Sequence, residues 1–173
     1  MPVQNNKTLA AQAPHTFCHS CGSEYDQLSW PRICQVCGVE TYRNPLPAAV
    51  CLVPVDNGLL AVYRAIPPFG LALPGGFIEY KEDWKAAAAR ELEEEVQVVL
   101  NPDDILEHRT ISSTNGFLLV FGLAPGISSS ELPPFIPNDE VSERHIITSD
   151  KNIVFPIHAL VISEYFASLK NTR

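Results

Sequence analysis

The chain has 173 residues, 46% apolar and 18% charged, which excludes an intrinsically disordered protein and allows one sizeable core plus a small appended module. A net charge of −8 excludes non-specific attachment to nucleic acid through a basic surface, but not nucleotides whose phosphates a metal would screen. No apolar run approaches the length of a membrane span, so no membrane association is expected.

Residues 1–13 are polar and lack the sustained apolar stretch of a secretory signal, so a flexible leader on a cytoplasmic protein is expected. Four of the five cysteines then follow as Cys18-His19-Ser20-Cys21 and Cys34-Gln35-Val36-Cys37, with twelve residues between the pairs. Gly22 and Gly38 stand directly behind the pairs, where a sharp turn would aim backbone amides at the sulfurs. Two such knuckles supply four thiolates, enough to close a tetrahedral zinc site with no open position, so a structural zinc is expected. Disulfides are disfavoured in a cytosolic chain, and a thioredoxin-like redox pair would need a strand–helix pattern absent here. His15 and His19 are alternative ligands, though flanking residues are the simpler account. The segment 14–42 resembles a zinc ribbon, with little core of its own, so that metal binding would supply its folding free energy.

Tyr42 to Pro47 reads as a proline-stiffened linker, and a second domain is expected over 43–173. Ala48 to Val55 and Leu59 to Ala65 are apolar runs separated by Asp56-Asn57-Gly58, a hairpin signal. Cys51, inside the first run, reads as a small buried hydrophobe. After a loop at Ile66 to Gly70, Leu71 to Leu73 forms a short strand delivering Pro74-Gly75-Gly76. Trp84 to Val96 is built from strong helix formers without Gly or Pro, and Glu82 and Asp83 precede it where acidic side chains favour a helix start. At about 100° per residue, Glu91, Glu94 and Glu95 share an arc of roughly 100°. Ala88, Ala89, Leu92 and Val96 lie on a neighbouring arc suited to burial. Arg90 is one turn from Glu94 and can pair with it or orient Glu82.

Asn101 to Asp104 breaks the chain, and Ile105 to Ser113 and Phe117 to Ala124 are expected to pair around Asn115-Gly116. Pro125 to Ser149 reads as a long loop, of the kind that is often functional. It carries Asp139, Glu140 and Glu143; Glu140 is the candidate for a further acid, with an ordinary surface role equally open. Phe69, Phe117 and Phe135 are candidates to stack on a base, but packing on the core is the default for each. His108, His145 and His158 are scattered singly, which favours structural roles. Pro156 to Lys170 has the periodicity of a helix, with Ile157, Leu160, Val161, Tyr165 and Leu169 on its apolar side.

Gly76, Glu82 and the run Arg90-Glu91-Leu92-Glu93-Glu94-Glu95 stand at the spacing of a loop–helix signature, and the stretch from Pro74 to Val98 resembles that of the Nudix hydrolases. The resemblance implies an α/β/α sandwich with a mixed sheet, here preceded by the zinc ribbon. It further implies that Glu91, Glu94 and Glu95 hold magnesium or manganese, that the Gly75 carbonyl is a further ligand, and that Glu82 and Arg90 orient this shell. The implied reaction is hydrolysis of a nucleoside diphosphate linked to another moiety, with ADP-ribose, NADH and FAD as candidates and Glu94, Glu95 or a loop carboxylate as general base. Hard divalent cations favour such oxygen ligands and bind together with substrate phosphates. The bland alternative, a solvated acidic face, costs only about 0.2–0.5 kcal/mol per like-charge pair, so energy alone does not exclude it.

Two positions depart from the pattern: Gln97 stands where a helix-closing glycine is usual, and Lys81 also occupies a position often held by glycine. The ribbon-plus-hydrolase architecture is similar to the NADH pyrophosphatase branch, but that branch's Ser-Gln-Pro-Trp-Pro-Phe-Pro-type run is absent. A non-catalytic sensor of ADP-ribose-type nucleotides, with the ribbon as interaction module, is the alternative function. Processing of RNA caps is not expected without a basic track, and the resemblance allows a homodimer.

Overall fold

A computed structural model describes residues 15–26 and 29–171, so the expected leader at 1–13 lies outside the described residues. The chain falls into two compact units, Met1–Asn44 and Pro45–Arg173. In the first, β1 (Arg32–Ile33) pairs antiparallel with β2 (Glu40–Thr41). Among the described residues its buried cluster is Cys18, Tyr25 and Cys34, and the Arg32 guanidinium lies 4.3 Å from the centre of the Trp30 ring. So little apolar burial cannot offset the chain entropy of a fold this size without a further constraint.

The second unit carries β3 (Leu46–Leu52), β4 (Pro54–Val55), β5 (Gly58–Arg64), β6 (Leu71–Ala72), β7 (Gly75–Phe77), α1 (Trp84–Val96), β8 (Leu106–Ser112), β9 (Phe117–Leu123), β10 (Val141–Ile147) and α2 (Pro156–Asn171). One sheet has the order β7-β3-β9-β8; β3 and β9 run parallel and the other pairs antiparallel, so the sheet is mixed. In the other sheet β5 is central, paired with β4, β6 and β10. The period-two alternation of β3 sorts the core into two layers. Ala49, Cys51 and Val53 join Ala87, Ala88, Leu92 and Val96 of α1, whereas Val50 and Leu52 join Val161, Ile162 and Tyr165 of α2. This is the expected α/β/α sandwich, and Cys51 is fully buried in it.

Three expectations need correction. The run from Ala48 to Val55 is not one strand: it breaks at Val53, and only Pro54–Val55 forms the hairpin with β5 around Asp56 and Asn57. The preceding residues belong to the other sheet, because a strand buried on both faces gives no sequence cue for where it changes partners. Second, Pro125 to Ser149 is not all loop, since Val141–Ile147 is a strand along β5. Its pattern, Val-Ser-Glu-Arg-His-Ile-Ile, lacks the clean alternation that marks a strand. Third, α2 buries His158, Val161, Ile162 and Tyr165, leaving Leu160 and Leu169 nearly half exposed at 46% and 47%. Among the described residues no helix is long and apolar enough to cross a membrane.

Candidate active site

Helix α1 starts at Asp83, whose carboxylate accepts from the Lys85 amide at 2.8 Å, as an N-cap does. Burial of Ala87, Ala88 and Leu92 fixes its rotation. That rotation carries Glu91 and Glu95 onto β7 rather than into solvent: they are only 8% and 6% exposed. The Gly75 amide donates to Glu95 Oε2 at 2.9 Å. Both glycines are demanded by close approach. A Cβ on Gly75 would sit 2.3 Å from the Ala49 carbonyl oxygen, and one on Gly76 would sit 2.3 Å from Glu91 Oε1.

Arg90 is the hub of the charge network. Its Nε and Nη2 donate to the two oxygens of Glu82 at 2.9 and 3.1 Å. Its Nη1 donates to Glu91 at 2.8 Å and Glu94 at 3.1 Å, and Nη2 also donates to the Phe77 carbonyl at 3.0 Å. Arg90, reinforced by the Glu79 amide, holds the Glu82 carboxyl below its ordinary value. The bidentate pair locks the loop ahead of α1 to the helix itself. Arg90 thus contacts both carboxylates that the sequence offered it, Glu94 and Glu82.

Glu91 and Glu95 face a cleft of about 670 Å³, together with Glu140 from the segment before β10. Burial pushes both carboxyls up, Glu95 to about 8, and the Glu140 charge adds to the effect in each. Glu94 is different: its side chain is 57% exposed, and Arg90 tethers it at the rim. The lining thus gathers Glu79, Glu91, Glu95 and Glu140 with the guanidiniums of Arg64 and Arg90, and carboxylate oxygens are the donor type that hard divalent cations prefer. Glu143 lies elsewhere, bonded to the His145 ring at 2.8 Å.

Several cleft groups carried no clear signal in the sequence. Phe77 stacks with Phe117 at 6.0 Å and 28°, giving a flat aromatic surface in the lining. Phe77 follows the glycine pair directly, and strand alternation would have aimed it away from its neighbour Gly76. Phe69 is exposed, and Phe135 packs on the core beneath Arg144, so neither joins that surface. Arg64 also lines the cleft, with its guanidinium donating to the Pro67 and Pro68 carbonyls and no ion pair among the described residues. His158 is buried and accepts from the Leu73 amide at 3.2 Å, a structural role.

In the first unit all four sulfurs of Cys18, Cys21, Cys34 and Cys37 lie within 4.8 Å of one another. Cys18–Cys37 and Cys21–Cys34 are 3.7 and 3.6 Å apart, close to the edge of about 3.8 Å for a tetrahedron with 2.3 Å metal–sulfur bonds. None is in a disulfide. Gly22 and Gly38 both have φ of +74° and donate back to the Cys18 and Cys34 carbonyls, so the two knuckles share one geometry. The Ser23 hydroxyl, 3.0 Å from Cys34 Sγ, is the main influence drawing that thiol down to about 6. His19 bonds Thr41 instead of joining the sulfurs. The cluster fits a zinc ion.

Residues 45–156 match the NUDIX domain. The chain belongs to the Nudix hydrolase family. A relative of known function, the NAD-capped RNA hydrolase NudC of Stutzerimonas stutzeri (strain A1501), is 35% identical over 91 residues, which are 51% of this chain and 33% of that protein. The chain thus spans about a third of that relative's length. Among solved structures, a NUDIX hydrolase from Nitrosomonas europaea superposes with a TM-score of 0.73 at 24% identity, covering 91% of this chain and 94% of that one. A bifunctional NMN adenylyltransferase/ADP ribose pyrophosphatase from Francisella tularensis, solved with AMP and a Mn ion, gives 0.54 at 23% identity, covering 76% and 41%. At these identities the two structures attest the Nudix fold. The glutamate helix and glycine strand fall inside the matched range.

Proposed function

We propose that the chain hydrolyses a phosphoanhydride in a nucleoside diphosphate linked to a second moiety, with NAD(H), ADP-ribose and FAD as substrate candidates. The observation that carries the proposal is the burial of Glu91 and Glu95 against Gly75 and Gly76 in a cleft of about 670 Å³. Buried carboxylates of this kind are not a solvated acidic face; they are arranged to meet positive charge. In this reading Glu91, Glu94 and Glu95 hold magnesium or manganese, with the Gly75 carbonyl as a further ligand. Magnesium or manganese, when bound, screens the phosphates and makes water a better nucleophile.

The chain's own residues do the remaining work, which for phosphoryl transfer is mostly positioning and charge stabilisation. Arg90 and Glu82 keep Glu91 and Glu94 in place. Glu94, Glu95 or Glu140 accepts the proton of the attacking water. Arg64, which has no carboxylate hydrogen bond among the described residues, supports a phosphate oxygen, and Phe77 with Phe117 offers a face to a base. In the first unit, Cys18, Cys21, Cys34 and Cys37 hold a structural zinc.

A panel of NAD, NADH, ADP-ribose, FAD and a NAD-capped oligoribonucleotide, assayed with magnesium and manganese, tests the proposal. The oligonucleotide is included because of the NudC relative, although the net charge of −8 favours small nucleotides. Mass spectrometry of the products identifies the bond cut. If every compound is inert while ADP-ribose still raises the melting temperature, the chain is a sensor and the hydrolase reading fails.

A further inference from the structure

We infer that Gln97 and Asn138 form a latch that holds residues 136–141 against the carboxyl end of α1 and so positions the Glu140 carboxylate in the cleft. The inference rests on the hydrolase reading above and adds two positioning residues to it. The starting point is the end of the helix. Gln97 has a left-handed backbone, φ +57°, where glycine would be relaxed, and it closes α1 with its amide on the Glu93 carbonyl.

Gln97 uses its amide group on the opposite segment. Oε1 accepts from the Ile136 amide at 2.9 Å, and Nε2 donates to the Ile136 carbonyl at 3.4 Å. The last carbonyls of a helix lack partners within it. Here Asn138 Nδ2 donates to the Glu94 carbonyl at 2.9 Å, and Arg144 Nη1 donates to that of Val96, also at 2.9 Å. Asn138 thus joins the main chain of a site glutamate to the segment bearing Glu140. Its Oδ1 accepts from the Glu140 and Val141 amides at 2.9 and 2.7 Å, a side-chain-built turn of the type asparagine favours. The Glu140 carbonyl in turn accepts from the Ala65 amide at 2.7 Å. The Glu140 main chain is therefore pinned on both sides. Its carboxylate has no protein partner among the described residues and lines the same cleft as Glu91 and Glu95.

Replacing Gln97 by glycine separates positioning from stability, because it relieves the backbone while cutting the tether. For Gln97→Gly the melting temperature is expected to hold or rise, while kcat falls about tenfold with KM within about twofold. Asn138→Ala is expected to lower kcat further, with a lower melting temperature. Hydrogen exchange of the zinc-loaded protein without magnesium or manganese is expected to show faster opening at Ile136, Glu140 and Val141 in both variants, by about tenfold or more. Glu140→Gln alone is expected to lower kcat, and in that background Gln97→Gly is expected to add nothing, since both act through one carboxylate. The inference is overturned by unaccelerated exchange, by wild-type kcat in Gln97→Gly, or by a Gln97→Gly effect that persists without Glu140. Should the wild-type chain hydrolyse nothing in the panel, the functional proposal fails, and the exchange measurement still decides whether the latch exists.

Discussion

Adjacent glycines in β7 are predicted to fail in opposite ways when each is replaced by alanine. In Gly76→Ala the new Cβ would lie 2.3 Å from Glu91 Oε1 and 2.5 Å from its Cδ, both in the far end of a flexible side chain. An ordinary contact begins near 3.4 Å, so the carboxylate must retreat by about 1 Å, a misplacement that can cost about 10²-fold in rate. The three nearest atoms all belong to that carboxylate, and stability is expected to drop by about 1–2 kcal/mol as the 2.8 Å Arg90–Glu91 pair is disturbed. In Gly75→Ala the Cβ meets backbone instead, 2.3 Å from the Ala49 oxygen and 2.6 Å from Val50 Cα, at φ +145°. Neither atom can yield without separating β7 from β3, so a loss above about 4 kcal/mol is expected. Denaturant unfolding gives the stabilities, and kcat/KM on the best substrate of the panel, at saturating magnesium, gives the activity. A folded Gly76→Ala protein with wild-type kcat/KM would show that the Glu91 carboxylate does not matter where it stands, and the site assignment would be wrong.

Lys81 is left-handed at φ +70°, and its side chain lies only over the exposed Tyr80 ring, 5.3 Å from the ring centre. Lys81→Gly is predicted to raise stability by about 0.5–1 kcal/mol, the relieved strain less glycine's entropy, seen as a higher denaturant midpoint. Glu94→Gln, at an exposed position, is predicted to lose at least about 10²-fold in kcat with an unchanged melting temperature, and unchanged turnover would remove Glu94 from the metal shell. His158 is held down to about 4 by burial first and Arg64 second. Its folded value lies below the unfolded one near 6.5, so the unfolded state takes up the proton first as pH falls. The His158 contribution is therefore full above pH 6.5 and declines toward pH 4, by at most about 3 kcal/mol, while the raised Glu95 carboxyl works in the opposite sense below about pH 8. The stability difference between the wild type and His158→Gln, from unfolding curves across that range, is expected to fall by that amount between pH 6.5 and pH 4, and a constant difference would refute the assignment. Elemental analysis is expected to give one zinc per chain, lost in Cys34→Ser together with the ordered amide signals of residues 15–44.

The ribbon and the glutamate helix were legible because their chemistry is local. Cysteines two residues apart followed by glycine fix a knuckle through a few adjacent torsions, and both turns have the same φ of +74°. Helical periodicity likewise places Glu91, Glu94 and Glu95 together without reference to the rest of the chain. Which of the three is buried was not local. That followed from Ala87, Ala88 and Leu92 packing on β3, which turned Glu91 and Glu95 onto the glycine strand and left Glu94 at the rim. Gln97 and Lys81 read as mere departures from a pattern. The fold shows that both accept a left-handed backbone, and that Gln97 spends its side chain on Ile136, 39 residues away.

By itself the sequence determined what short-range torsions and periodicity encode: the four-cysteine knuckles, the acidic helix and its glycine approach, and the alternation that builds a two-faced sheet. Tertiary structure decided what depends on contacts distant in the chain. It set the change of sheet at Val53, the addition of β10 beside β5, the cleft that gathers Arg64, Phe77, Phe117 and Glu140, and the rotation of α2. The physical reason is that burial is non-directional and shared among many residues. No single segment records which of its faces the rest of the molecule will cover.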